Sequence, residues 1–177
     1  MRDARKDRRS YCEMFFCRKR EVSMLYRLLL FVHLAAVMTW VGGMVFALFC
    51  LRPAAAVLPP PQRIALMQQA LGRFFRLVSL VILLIIASGM SMIAMVAMMA
   101  TGGPKALPAA WWVMIGAGVL MMAIFGHVRM VPYKRLIMFS AAQDWPAAAA
   151  QLDRIRLMVM VNLLLGLVII ALMKMAV

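Results

Sequence analysis

The chain has 177 residues, of which 66% are hydrophobic, and its mean hydropathy is +0.92. A soluble domain is roughly 45–50% apolar, so this composition excludes an ordinary soluble enzyme and is typical of an integral membrane protein. The formal net charge of +14 does not indicate nucleic-acid binding, because the basic residues lie mostly in loops and in the N-terminal segment, without a recognition motif. These residues are expected to set the topology and to contact anionic lipid headgroups.

Four apolar stretches are long enough to cross a bilayer, since a spanning helix needs about 20 residues. They cover residues 25–50, 77–100, 110–131 and 157–173. The sequence therefore predicts an all-α integral membrane four-helix bundle, with short interfacial helices in the two longer loops. In this prediction residues 24–177 form the membrane domain and residues 1–23 form a basic tail. Met24 directly precedes the first span and is an alternative start of the protein.

The basic residues predict two opposite topologies, depending on which methionine is the start. The N-terminus, the loop 101–109 and the C-terminus share one side of the membrane, side A, and the two longer loops share side B. Side B carries Arg52, Arg63, Arg73, Arg76, Arg129, Lys134, Arg135, Arg154 and Arg156. Side A carries only Arg27, Lys105 and Lys174 unless the strongly basic tail is added. The positive-inside rule then favours side B as cytoplasmic for a start at Met24, which we predict, and side A for a start at Met1.

Both side B loops contain signals for short helices. Residues 59–61 are three prolines, and residues 63–76 then place apolar and basic side chains on opposite faces of a helix. In the second loop, Asp144-Trp145-Pro146 is typical of a helix start that leads into the fourth span. We expect these helices to lie on the lipid headgroups.

His33 lies within the first span among apolar neighbours. An imidazole at membrane depth is costly, so we expect it to face the bundle interior and to have a function there. Methionine, of which the chain has 20, offers a soft thioether that selects Cu(I) or caps a haem iron. Met92 and Met95 share one face of the second span, and Met92 falls at the depth of His33 when each residue advances 1.5 Å. His33, Met92 and Met95 are therefore candidate metal ligands, although gap filling and lipid contact explain most methionines.

Small residues are expected beside this site. Gly89, Gly116 and Gly118 would leave room next to His33, and the Gly42-Gly43 pair allows another helix to approach closely. Trp40 follows His33 by two helical turns on nearly the same face. It either packs against a neighbouring helix or stacks on a macrocycle.

His127, the second histidine, lies near the side B end of the third span. It is roughly 15 Å from His33 along the membrane normal, so one metal ion cannot be ligated by both within one molecule. One interpretation is a neutral interfacial histidine. The other is a positively charged pocket for a propionate, a phosphate or a lipid headgroup. The residues grouped with His127 at this depth are Arg52, Arg76, Arg129, Arg156 and Asn162.

An ordered set of segments carries a family resemblance. The set consists of the stretch from His33 through Trp40 and Gly43 to Pro53, then Phe74-Phe75-Arg76, Ser88-Gly89-Met90, residues 127–136, Asp144-Trp145-Pro146, Arg154-Ile155-Arg156 and residues 161–166. In this order the set resembles the bacterial copper-resistance protein D (CopD) membrane family, over about residues 25–171.

The CopD resemblance implies a multi-pass protein of copper homeostasis in the bacterial inner membrane that passes periplasmic copper across it. His33 would be the intramembrane ligand, and Cu(I) the bound ion. Some relatives carry an extracytoplasmic copper-binding module, so a periplasmic copper-binding protein is an expected partner. Longer family members have twice as many helices, so transport would require a homodimer.

A second resemblance is to the haem-binding bacterial protoporphyrinogen oxidase (HemJ) family, on His33, Trp40, Gly43 and Arg52. It implies a haem b protein with oxidoreductase or quinone-linked activity, in which His33 and a methionine would be the axial ligands. The candidate cofactor-binding residues of the chain are His33, Trp40, His127, Arg52, Arg76 and Asn162. That family carries a lysine where this chain opens its third span with Trp111. A third interpretation is a structural subunit of a membrane complex. Hydrolytic catalysis is excluded, because the acidic residues lie in the tail and one loop, away from any buried site.

Overall fold

The computed structural model describes the backbone of residues 3–99 and 109–175, and the side chains from residue 23 onward within those ranges, up to residue 98 in the first. The described elements are α1 Asp3–Phe46, a π-helical turn Ala47–Leu51, α2 Arg52–Ala55, α3 Pro60–Met99, α4 Ala109–Met130, α5 Pro132–Ala141 and α6 Trp145–Met175. Four stretches are long and apolar enough to cross a membrane: Ser23–Ala55, Pro60–Met98, Ala109–Ala141 and Trp145–Met175. The predicted all-α membrane bundle is confirmed.

Helix α3 is much longer than the second predicted span. It has 40 residues, or about 60 Å at 1.5 Å per residue, whereas the hydrocarbon core is about 30 Å thick. The helix predicted over residues 63–76 is therefore not a separate interfacial element but the first part of α3. No proline follows Pro61 within α3, and Gly72 stays helical with the Tyr133 hydroxyl packed against it. The separate short helices of the two longer loops are α2 and α5.

Helix α1 begins at Asp3, so the backbone of the basic segment continues into the first span. The side chains before Ser23 lie outside the described residues, as does Lys105. The division at Met24 and the choice of cytoplasmic side remain predictions.

The predicted start of α6 is confirmed. Gln143 has a positive φ of 58°, which ends the preceding turn and reverses the chain. The Asp144 carboxylate then accepts a hydrogen bond from the Ala147 N–H at 3.0 Å, which is an N-cap interaction. Helix α6 begins at Trp145 with Pro146 in its first turn.

Two apolar clusters hold the bundle together. The first contains Trp40, Met44 and Leu163 in the membrane interior, and the second contains Ile64, Leu136 and other buried residues toward side B. Edge-to-face aromatic contacts connect the two clusters. Their ring centroids are 6.1 Å apart for Trp40–Phe125, 5.7 Å for Phe125–Phe75 and 5.0 Å for Phe75–Tyr133. The side B helices are thereby packed onto the spanning helices.

Helix α1 approaches its neighbours at a small residue. Gly43 lies against the Phe74 ring of α3 so closely that a β-carbon there would displace the ring. Gly42 faces open space instead. Only one member of the glycine pair therefore makes the close approach expected of both. Many large apolar side chains point outward, including Phe31, Met38 and Leu83, as expected for a surface in contact with lipid.

Candidate functional site

His33 on α1 is held against α3. Its Nδ1 atom lies 3.0 Å from the Oγ atom of Ser88. The ring edge rests on Gly89, where a β-carbon would lie 3.4 Å from His33 Cε1. The imidazole is half-buried between the two helices. Gly89 therefore supplies the space beside His33 that the sequence predicts.

The hydrogen bonds of Ser88 assign the tautomer of His33. Ser88 Oγ lies 2.6 Å from the Leu84 carbonyl oxygen and 3.3 Å from that of Ile85. The serine hydroxyl has one hydrogen, and the short contact shows that it is donated to Leu84. Ser88 Oγ consequently accepts from His33, which places the ring hydrogen on Nδ1. In this tautomer the Nε2 atom carries the lone pair of the ring.

This arrangement is typical of an imidazole that ligates a metal. A ligating histidine usually donates its other N–H to a fixed oxygen, which sets the tautomer and the orientation of the ring. Here a helix carbonyl, through the Ser88 hydroxyl, performs that role. Sequence reasoning missed Ser88, although it stands next to Gly89 in a segment that carries the family resemblance.

Met92 and Met95 follow Ser88, the partner of His33, on the same face of α3. Met92 is one turn after Ser88 and is 8% exposed, and Met95 follows at half burial. The predicted level of Met92 with His33 is wrong by one turn, about 6 Å, because His33 contacts Ser88 and Gly89. Helical side chains lean toward the N-terminus of their helix, so the Met92 thioether extends back toward the level of His33.

Metal sites in proteins are most often built from clusters of His, Cys, Asp and Glu side chains. Within residues 23–98 and 109–175 no three His, Cys, Asp or Glu side chains are grouped so that they could hold a metal ion. The described cysteine, Cys50, is exposed. Thioether ligands, where they are present, favour Cu(I) over Zn²⁺ or Mg²⁺.

Trp40 and Asn162 belong to a different part of the interior. Asn162 is 3% exposed, and its Nδ2 atom donates to Met44 Sδ at 3.6 Å. The Asn162 Oδ1 atom is buried without a hydrogen-bond partner. Together with Met158 these residues line a cavity of about 10 Å³, near the size that holds one water molecule. Trp40 packs edge-to-face on Phe125 in the same region.

The basic residues grouped with His127 are divided among several environments. His127 and Arg76 are exposed. Arg129 donates to the Ser79 hydroxyl and, at 3.5 Å, to the Phe75 carbonyl. Arg52 and Arg156 do come together, in a cavity on side B. The structure thus brings Arg52 and Arg156 together, whereas Arg76 and Arg129 lie outside that cavity.

The residues expected around haem do not form one pocket. A haem on His33 would need a flat slot beside the imidazole and basic side chains near its carboxylates. Trp40 and Asn162 pack instead around the small interior cavity, and Arg52 and Arg156 line the side B cavity. The described residues therefore do not fit the predicted haem site.

The comparison with known families agrees with the copper interpretation. The family model described as copper resistance protein D, CopD, matches residues 68–176, more than half of the chain. The chain belongs to the CopD family. It is a multi-pass membrane protein of the copper-resistance class. Comparisons with curated proteins and with solved structures gave no significant match.

The CopD match divides the candidate residues into two groups. It covers Met92, Met95, His127, Arg76 and Asn162. The residues His33, Trp40 and Arg52 lie before it, so their roles rest on the geometry of α1 against α3 and α6. The protoporphyrinogen oxidase resemblance, carried by that same first span, gains no support from the comparison.

Proposed function

We propose that this CopD protein binds Cu(I) at an intramembrane site formed by His33, Met92 and Met95, and passes the ion across the membrane. The observation that carries the proposal is the hydrogen bond from His33 Nδ1 to Ser88 Oγ. This bond leaves Nε2 available to a metal at the α1–α3 contact, where the buried Met92 follows on the same face.

The proposed ligands suit a monovalent soft cation. An imidazole nitrogen and two thioether sulfurs are neutral, so they would hold Cu(I) with a total charge of +1. A neutral ligand set also needs no counter-charge buried in the membrane when the ion is absent, which avoids a large desolvation cost. Zn²⁺ and Mg²⁺ prefer anionic or oxygen ligands and would be excluded.

Passage toward side B would use a second set of polar and soft groups. Met44 lies eleven residues after His33 on α1, or about 16 Å along the helix axis. There the Met44 and Met158 side chains and the unpartnered Oδ1 atom of Asn162 line the small interior cavity. In the proposal this cavity is the next position for the ion. The Nδ2 contact shows that Asn162 already faces the Met44 sulfur.

The proposal extends to the surroundings of the protein. We place it in the bacterial inner membrane, with a periplasmic copper-binding protein as donor and a homodimer as the transporting unit. Anionic lipids contact the basic loops. The family match and the charge distribution support these assignments.

The proposal is tested by direct Cu(I) binding and by copper accumulation. The purified protein competes with a chromophoric Cu(I) chelator, and a strain that depends on this protein for copper tolerance reports transport. His33→Ala should abolish both, because it removes the nitrogen ligand. His127→Ala is the matched control, since His127 is exposed on α4, and it should behave as wild type. Equal copper binding by wild type and His33→Ala would refute the site.

A further inference from the structure

A second cavity lies on side B, between the π-helical turn with α2, the beginning of α3, and α6. Its volume is about 440 Å³, within the range of roughly 300–1,000 Å³ of small-molecule sites. Its charged side chains are Arg52, Arg63, Arg156 and Asp153. Three guanidinium groups and one carboxylate give the cavity a net charge of +2. The remaining lining is apolar and includes Leu48, Met67, Leu71, Leu152, Ile155 and Val159.

Arg52 is directed into the protein with part of its hydrogen-bonding capacity unused. Its Nη2 atom pairs with Asp153 Oδ1 at 2.5 Å. Its Nη1 atom is buried and has no hydrogen-bond partner. Leaving a buried charged donor unpaired is costly, so the Arg52 guanidinium at the cavity wall is only partly satisfied by Asp153.

The backbone before Arg52 is unusual. Residues Ala47–Leu51 form a π-helical turn, which places Arg52 directly after a local change of helical register. Such turns are rare in proteins overall, but those that occur are often found at functional sites, because the added residue redirects the side chains that follow. The turn is thus a second observation, independent of the charges, at the same cavity.

We propose that this cavity binds the phosphate headgroup of an anionic lipid. Arginine forks match phosphate oxygens with two parallel hydrogen bonds, and two or three arginines neutralise the group. The apolar side chains on the same wall would contact the upper part of an acyl chain. The cavity lies where the first span ends and the fourth helix begins, so a lipid reaches it from the membrane surface. This site goes beyond the copper function and does not depend on it.

Substitutions of Asp153 and of the arginines should change headgroup affinity in opposite directions. Its carboxylate repels any anion in the cavity while it orients Arg52. Replacing Asp153 with Asn removes the repulsion and keeps a hydrogen-bond acceptor. Asp153→Asn should therefore bind the headgroup more tightly, whereas Arg156→Gln and Arg63→Gln should bind it less tightly. Arg154→Gln is the matched control, because Arg154 is exposed on α6 and does not line the cavity.

The experiment uses the full chain in a neutral detergent. Thermal unfolding and native mass spectrometry would be followed with added phosphatidylglycerol, phosphatidylcholine or inorganic phosphate. We expect phosphatidylglycerol to remain bound and to raise the unfolding temperature, and phosphatidylcholine not to do so. In Arg156→Gln, the phosphatidylglycerol concentration that gives the same rise in unfolding temperature should increase roughly tenfold or more. That factor corresponds to the loss of one hydrogen bond to a charged group. Arg63→Gln provides a second variant that leaves the Arg52–Asp153 pair intact.

The three ligands distinguish the source of the phosphate. Equal protection by inorganic phosphate alone would support the arginine site but identify a free phosphate, and not a lipid, as its occupant. The proposal is overturned if phosphatidylglycerol and phosphatidylcholine act alike. It is also overturned if Arg156→Gln and Arg63→Gln respond to phosphatidylglycerol as Arg154→Gln does.

Discussion

His33 and Ser88 join the first two spanning helices by a hydrogen bond of 3.0 Å, and this bond engages the Nδ1 atom of the imidazole. Because Ser88 donates its own hydrogen to the Leu84 carbonyl, the bond fixes both the tautomer and the direction of the ring. The proposed Cu(I) site depends on a mid-membrane histidine held in this way.

Removing the Ser88 hydroxyl should weaken copper binding without removing a ligand. In Ser88→Ala the His33 ring loses its acceptor, so its tautomer and orientation are no longer fixed. Loss of such a partner typically costs 10–100-fold in metal affinity, and we expect that range in Cu(I) competition.

Two further variants separate positioning from general damage to α3. Ser91→Ala removes a hydroxyl that bonds only to the carbonyl of its own helix, at 2.8 Å from Ala87 O, and should bind copper as wild type does. Ser88→Thr keeps the hydroxyl and should restore most of the affinity. If Ser88→Ala and Ser91→Ala gave equal affinities, the role assigned to Ser88 would be wrong.

Filling the space at Gly89 should displace the imidazole. A β-carbon at this position lies at an ordinary contact distance, 3.4 Å from His33 Cε1, so Gly89→Ala should be nearly neutral. Gly89→Val adds two methyl groups against the ring and should reduce Cu(I) affinity strongly. Gly116→Val is the control, because nothing lies within 4 Å of a β-carbon there. A Gly89→Val protein with wild-type affinity would contradict the position given to His33.

Met92 and Met98 provide a matched pair on one helix. Met92 is 8% exposed on the His33 side of α3, whereas Met98 is 86% exposed. Leucine conserves the volume of either side chain and removes only the sulfur. Met92→Leu should lower Cu(I) affinity, and Met98→Leu should leave it unchanged. Chelator competition measures both, and equal losses would show that Met92 is a packing residue.

Asn162 should show opposite effects on stability and on copper passage. Its Oδ1 atom is buried without a partner, which is a cost to the fold, so Asn162→Leu should unfold at an unchanged or higher temperature. If this carbonyl receives the ion on its path, copper accumulation should nevertheless fall. Thermal unfolding and cellular copper content measure the two effects. A destabilised variant with normal accumulation would make Asn162 a structural residue.

The sequence was sufficient to predict the four spans and an inward-facing His33. Hydropathy identifies a spanning helix because lipid leaves few alternatives for the backbone, and the Asp144 N-cap is a local signal. The level of His33 along α3 was wrong by one turn. Counting residues from a predicted membrane edge requires a common starting plane, and α1 and α3 both continue far beyond their apolar segments.

The arginine sites could not be predicted for a related reason. Depth along a helix groups Arg52, Arg76, Arg129 and Arg156, but it does not give the direction in which each side chain leaves its helix. The π-helical turn before Arg52 has no clear mark in the sequence, and Asp153 is separated from Arg52 by 101 residues. The partners of Arg52 therefore required the packing of α6 to be known.

The most direct test of the copper site is X-ray absorption at the copper edge on the full-length protein loaded with Cu(I). The account predicts a mixed nitrogen and sulfur environment that loses its nitrogen in His33→Ala and part of its sulfur in Met92→Leu. An optical spectrum of the same sample should lack a Soret band. A copper environment identical in wild type and His33→Ala would contradict the account, as would a Soret band that weakens in that variant.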